Sequence, residues 1–182
     1  MPQWLVKIGQ SAFQSCIGLK DLDFSKACSV KYIDGVEVAL TEIGQSAFQY
    51  CSNLKILKDQ YDQQLSGIIT ILGSAFQECT SLGLVINNDD SFKTIGANAF
   101  AGADIALNAL PDGVEKIGTF AFGNLPNNVT NIGIIPESVV QIDSYAFANL
   151  TFDTDILEIR SMNFNGQGIS DNAFSTAYIQ KI

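Results

Sequence analysis

The sequence predicts an α/β repeat solenoid of about seven units, each a short strand followed by a short helical turn. Three observations predict it. One six-residue motif returns along the chain, its apolar positions keep fixed offsets, and the composition is rich in core-forming residues but poor in charge. Of 182 residues, 47% are hydrophobic and 16% charged, against roughly 25% charged in an average soluble protein. That length and apolar content rule out disorder and suit a single domain over residues 1–182.

The repeat is read before any secondary structure, because missing it misassigns the whole fold. Ile8-Gly9-Gln10-Ser11-Ala12-Phe13 returns as Ile43-Gly44-Gln45-Ser46-Ala47-Phe48, and in looser form around Phe76, Phe100, Phe122, Phe147 and Phe174. These seven anchors are separated by 35, 28, 24, 22, 25 and 27 residues. An alanine directly precedes each anchor, and an isoleucine lies five residues before it. Three identical positions in seven copies are not a product of chance.

Within a unit, the strand is expected just before the isoleucine, where Leu5, Leu40, Ile68, Phe92, Val114 and Val139 stand three residues upstream; Gly166 is the exception. From the isoleucine the apolar positions fall at offsets 0, 4, 5 and 8, one face of a helix. The residue that follows is Gly9, Gly44, Gly96, Gly118, Asp143 or Ser170, all N-cap types, with Leu72 departing. These features predict a capped helical turn. The invariant alanine marks a place where neighbouring backbones approach too closely for a longer side chain.

After the turn, Cys16-x-x-Leu19-x-x-Leu22, Cys51-x-x-Leu54-x-x-Leu57 and Cys79-x-x-Leu82-x-x-Val85 lay a second strand beside that of the preceding unit. Later units keep Pro111-x-x-Val114-x-x-Ile117 and Pro136-x-x-Val139-x-x-Ile142 instead, the prolines closing strands because they donate no ladder hydrogen bond. The register of the later second strands is not legible. The longest unit carries Val30 to Val38 around Asp34-Gly35, the strongest short-range signal for a hairpin.

Taken together, Ile-Gly-x-x-Ala-Phe-x-x-Cys-x-x-Leu with its Pro-x-x-Val-x-x-Ile lead resembles the BspA-type leucine-rich repeat, from about Leu5 to Ala177. The resemblance implies a curved, right-handed β/α superhelix with a parallel sheet on its concave side. It also implies a bacterial or protozoan cell-surface or secreted protein that adheres to host or neighbouring-cell proteins. The partner would then be an extracellular-matrix or cell-surface protein. An intracellular scaffold with the same binding physics is the alternative, favoured by the absent signal peptide and unpaired cysteines.

Composition narrows the chemistry. No histidine is present, which removes imidazole general bases, Ser/His and Cys/His pairs and histidine zinc sites. No enzyme, catalytic residue, cofactor or metal site is expected. Asp21-x-Asp23, Asp89-Asp90 and Asp153-x-Asp155 lack EF-hand spacing, and the glycines follow the repeat rather than a phosphate loop. A net charge of −9 argues against nucleic acid. No apolar run reaches the roughly 18 residues that suggest a membrane span.

Cys16, Cys51 and Cys79 occupy one equivalent position and predict a buried row of reduced thiols, while Cys28 falls outside the pattern. Gln14, Gln49 and Gln77 predict a solvated or hydrogen-bonded row. Lys58 to Gln64 reads as a solvated loop, and Asn128-Val129-Thr130 and Asn149-Leu150-Thr151 are glycosylation sequons. Phe120 and Tyr145 stand where earlier units have Ser11, Ser46, Ser74 and Asn98; they predict either an exposed contact patch or a locally rotated core. With Tyr32 and Asp34 of the hairpin, they are the candidate protein-binding residues. The terminal repeats, with Trp4 and Leu5 at one end and Tyr178, Ile179 and Ile182 at the other, predict a fragment of a longer array or end-to-end self-association.

Overall fold

The computed structural model describes residues 5–24, 31–33, 36–57, 65, 67–87, 90–127, 129–153, 157–160 and 168–179. Each isoleucine of the repeat closes a two-residue strand, and the seven strands pair in parallel in chain order: Lys7–Ile8, Glu42–Ile43, Thr70–Ile71, Thr94–Ile95, Lys116–Ile117, Gln141–Ile142 and Gly168–Ile169. The register is in step throughout, isoleucine against isoleucine. Alternation along a strand then turns the isoleucines inward, and Ile8 to Ile142 are buried. Their partners, from Lys7 and Glu42 to Thr94 and Gln141, line the other face.

The chain is therefore a parallel β-solenoid, but the expected helical turns are not there. Among the described residues no α-helix occurs, and the segments Gly9 to Cys16 and their equivalents are runs of hydrogen-bonded turns. The reason lies in where the amides go. In the first unit Ala12, Gln14 and Cys16 donate back to Gly9, Ser11 and Phe13, closing four-residue turns, whereas Ser11, Phe13 and Ser15 donate across to Gln45, Ala47 and Gln49 of the next unit. A helix would direct all these amides to carbonyls four residues back along one axis. Here every second amide is spent between repeats.

That alternation needs a left-handed residue at two places per unit, two before and two after the phenylalanine. Ser11, Ser46, Ser74, Asn98, Phe120, Tyr145 and Asn172 hold the first, with φ between 52° and 62°. Ser15, Tyr50, Glu78, Gly102, Asn124, Asn149 and Thr176 hold the second. The apolar offsets keep the isoleucine, alanine and phenylalanine on one side, as a helix would, which is why the pattern mimics one.

Inside, the phenylalanine rings stand in a single column. Neighbouring centroids from Phe13 to Phe174 are 5.0–5.8 Å apart, with interplanar angles of 1–15°. Phe24 meets Phe48 edge-on, and Phe152 meets Phe147 in the same manner, closing gaps beside the column. Each phenylalanine amide from Phe13 to Phe147 donates to the alanine carbonyl of the following unit at 2.8–3.0 Å, so the invariant alanine sits where two backbones touch. Beside it Gly44, Gly96 and Gly118, each after an isoleucine, are equally confined: a methyl on Gly96 would lie 2.5 Å from the Gly73 nitrogen.

The second strands run Asp21–Asp23, Lys55–Leu57, Leu84–Ile86, Ile105–Leu107, Val129–Thr130, Thr151–Phe152 and Tyr178–Ile179. They pair in parallel as three short ladders. Leu54 and Leu82 are buried as expected, but the next position of the pattern is displaced. Leu57 is exposed and Val85 half-buried, whereas Ile56, Leu84 and Ile86 point inward. A single residue of shift reverses the facing of a strand. In the return segments, Ile134–Ile135 pairs with Glu158–Ile159, and Pro136 ends the first of these as expected.

Lys31–Ile33 and Val36–Val38 pair antiparallel, Lys31 opposite Val38 and Ile33 opposite Val36, which is the expected hairpin. Asp34 at its tip, the side chain of Tyr32, Trp4, Cys28, Lys58 to Gln64 and Ile182 lie outside the described residues.

Candidate functional site

The turn segments form one long face of the solenoid, and its side chains fall into rows because each unit repeats the last. Gln14 donates to Gln49 at 2.6 Å and Gln49 to Gln77 at 2.7 Å, so this row is hydrogen-bonded rather than merely solvated. Towards the other end Asn149 donates to Asn124 at 2.9 Å and accepts from the Thr176 hydroxyl. Such ladders hold the surface side chains in one arrangement.

Phe120 and Tyr145 interrupt this polar face. Their rings stack at 4.9 Å and 13°, a contact separate from the buried phenylalanine column, and both side chains are half-buried. Neither expected alternative holds outright: the pair is neither fully exposed nor part of the core. Gly123 makes the room, since a methyl there would lie 2.5 Å from Phe120 Cδ1. Both aromatics also sit on left-handed backbone, φ 54° and 62°, where bulky residues are disfavoured. The Phe120 amide donates to Ser144 and that of Tyr145 to Asn172, which pins the strained residues between units. Two aromatics are thus kept at positions that serine or asparagine fills in every other unit. The sequence brings this pair to notice; it is silent on the two hairpin candidates' relation to it, and Asp34 and the Tyr32 side chain lie outside the described residues.

The thiol row is only partly as expected. Cys51 and Cys79 are buried, and each thiol donates to the phenylalanine carbonyl of the preceding unit, Cys51 to Phe13 at 2.9 Å and Cys79 to Phe48 at 3.0 Å. Burial pushes both thiols up, Cys79 to about 12. Cys16 instead is exposed, as is Ala12, because no unit among the described residues packs on the outer side of the first one. All three are free thiols. Among the described residues no group of three or more acidic or cysteine side chains gathers as a metal site, and no helix is long and apolar enough to cross a membrane.

A second feature was not singled out in the sequence. A groove of about 830 Å³ lies along the return segments of the middle units, lined by Asn108, Asp112, Asn131, Ile134, Glu137 and Arg160 among others. Its residues are scattered over about fifty positions, and although Asp112 and Glu137 share the Pro-x-x-Val motif, only the stacking of units brings them together with Asn108, Asn131 and Arg160.

With seven in-register turns and their phenylalanine column in view, the family comparison is decisive: the model described as BspA type leucine-rich repeat region matches residues 1–83 and 69–182, in six copies. The chain belongs to the BspA type leucine-rich repeat family. Two solved structures are similar to this BspA type chain. One is a leucine-rich repeat protein from Bacteroides ovatus, 17% identical with a TM-score of 0.46, covering 91% of this chain and 58% of that one. The other is a leucine rich cell surface protein from Faecalibacterium prausnitzii, 21% identical with a TM-score of 0.45, covering 93% of this chain and 59% of that one. The chain therefore spans less than two thirds of the length of either. No curated protein matches it.

Proposed function

We propose that this BspA type chain is a non-catalytic protein-binding module of a cell-surface protein, adhering to host or neighbouring-cell proteins. Its family is one of interaction repeats, and a solenoid offers a partner an extended, rigid surface. The observation that carries the reading is the Phe120–Tyr145 stack, half-buried on strained backbone amid a polar face. Strain kept where serine would serve is a mark of function, and aromatic residues are enriched at protein contacts. The name of the Faecalibacterium relative, a cell surface protein, supports the location.

The test is a pull-down against extracellular-matrix and cell-surface proteins with the wild-type chain and a Phe120→Ser/Tyr145→Ser double variant. Serine already occupies that position in three units, so the variant is expected to fold, checked by thermal melting. Captured protein should fall at least about tenfold, the equivalent of about 1.4 kcal/mol. Equal capture by both forms would remove the aromatic pair from the interface. An intracellular scaffold is the second reading, favoured by the free thiols at Cys16, Cys51 and Cys79. Protease shaving of intact producing cells separates the two, because only a surface module is cleaved.

A further inference from the structure

The groove of the return segments is built on rigid backbone. The Asn108 amide donates to Ile86, Asn131 to Leu107 and Arg160 to Ile135, at 3.0, 3.3 and 3.0 Å, so each lining segment is tied to the unit before it. Asp112 and Glu137 occupy equivalent places in successive turns, closed by bonds from Val114 to Pro111 and from Val139 to Pro136. The Ser138 hydroxyl reaches the Val114 carbonyl at 2.7 Å and locks one turn onto the other. The proline that begins each turn fixes its φ in advance. The backbone that carries the lining side chains is thus already fixed when a ligand enters.

Its chemistry is mixed. Asn108 and Asn131 offer both donors and acceptors, Asp112 and Glu137 accept, and Arg160 donates. Arg160 is bonded to Glu158 at 3.0 Å, a bond that raises its pKa, and the charges of Glu137 and Asp112 add to that rise. Beside these polar groups lies a small apolar surface: the half-buried Ala109, and Ile134, which is 38% exposed. A ligand that fits must donate and accept at many closely spaced points, present an apolar face, and carry no large negative charge to a chain of net charge −9. Hydroxyl groups both donate and accept, and a sugar ring sets them around two C–H faces.

We propose that this groove binds a neutral oligosaccharide, with hydroxyls held by Asn108, Asn131, Asp112 and Glu137 and a C–H face laid on Ile134. The site lies on different segments from the aromatic pair, so it goes beyond the protein-binding reading and does not depend on it.

The experiment is affinity electrophoresis of the chain in gels containing mannan, arabinoxylan, mixed-linkage glucan or galactomannan, with alginate as the anionic counterpart. A lysine-rich peptide is tested separately by fluorescence anisotropy. At least one neutral polysaccharide should retard the wild-type chain and alginate should not. Asn131→Ala and Glu137→Ala, both at exposed positions, should each weaken retardation at least about tenfold with melting unchanged. Phe120→Ser/Tyr145→Ser should be retarded as wild type is. Four results would overturn the proposal: no retardation by any neutral polysaccharide, retardation unaltered in the groove variants, retardation by alginate alone, or peptide binding lost in Glu137→Ala with no sugar bound. The last would make the groove a site for a cationic peptide.

Discussion

At the residue scale, the phenylalanine column and the thiol row make the sharpest expectations. Phe76 is fully buried and stacked on both sides, at 5.4 Å to Phe48 and 5.7 Å to Phe100. Phe76→Ala should cost about 3–5 kcal/mol in denaturant unfolding. Phe13 is half-buried and, among the described residues, stacked only on Phe48, so Phe13→Ala should cost clearly less. For the thiols, labelling of the native protein at mild pH should modify Cys16 within minutes and leave Cys51 and Cys79 protected. Cys79 adds a pH dependence. Its pKa rises from 9.0 to about 12 on folding, so the thiol is protonated in both states below pH 9 and the stability it contributes is intact. Above pH 9 the unfolded chain ionises while the folded one does not, and stability should fall by up to about 1.4 kcal/mol per pH unit until about pH 12. Cys79→Ala, which copies Ala103 of the next unit, should remove that component of the alkaline loss. Equal slopes for wild type and variant would contradict the assignment.

The elements show where the sequence was legible and where it was not. The first strands were readable because one isoleucine per unit faces the core and nothing else competes for its place. The turn was misread because the offsets 0, 4, 5 and 8 describe which side chains go inward, not how the backbone carries them there. The signal for the true geometry was present: serine or asparagine two residues before the phenylalanine in five units, and glycine or asparagine two after it in three. Asparagine and glycine tolerate left-handed backbone. The second strand was placed correctly but faced wrongly by one residue at Leu57 and Val85, since a short run of consecutive apolar residues carries no alternation to choose a face. The aromatic pair was legible by its departure from the repeat, whereas the groove, assembled from unlike residues of three units, was not. Gly96→Ala places a methyl 2.5 Å from one backbone nitrogen and 2.7 Å from the Leu72 carbonyl carbon, so the units must part there. A loss of about 1–3 kcal/mol is expected in denaturant unfolding, the usual cost of overpacking. The same change at Gly113, where nothing lies within 4 Å, should be nearly silent.

For the whole molecule, the turn row makes stacking directional. Ser11, Phe13 and Ser15, then Ser46, Phe48 and Tyr50, then Ser74, Phe76 and Glu78 all donate to carbonyls of the following unit. The side that a turn segment shows to the following unit therefore carries amide donors, and the side it shows to the preceding unit carries carbonyl acceptors. Two identical sides cannot bond through this row, so such units can stack only head to tail.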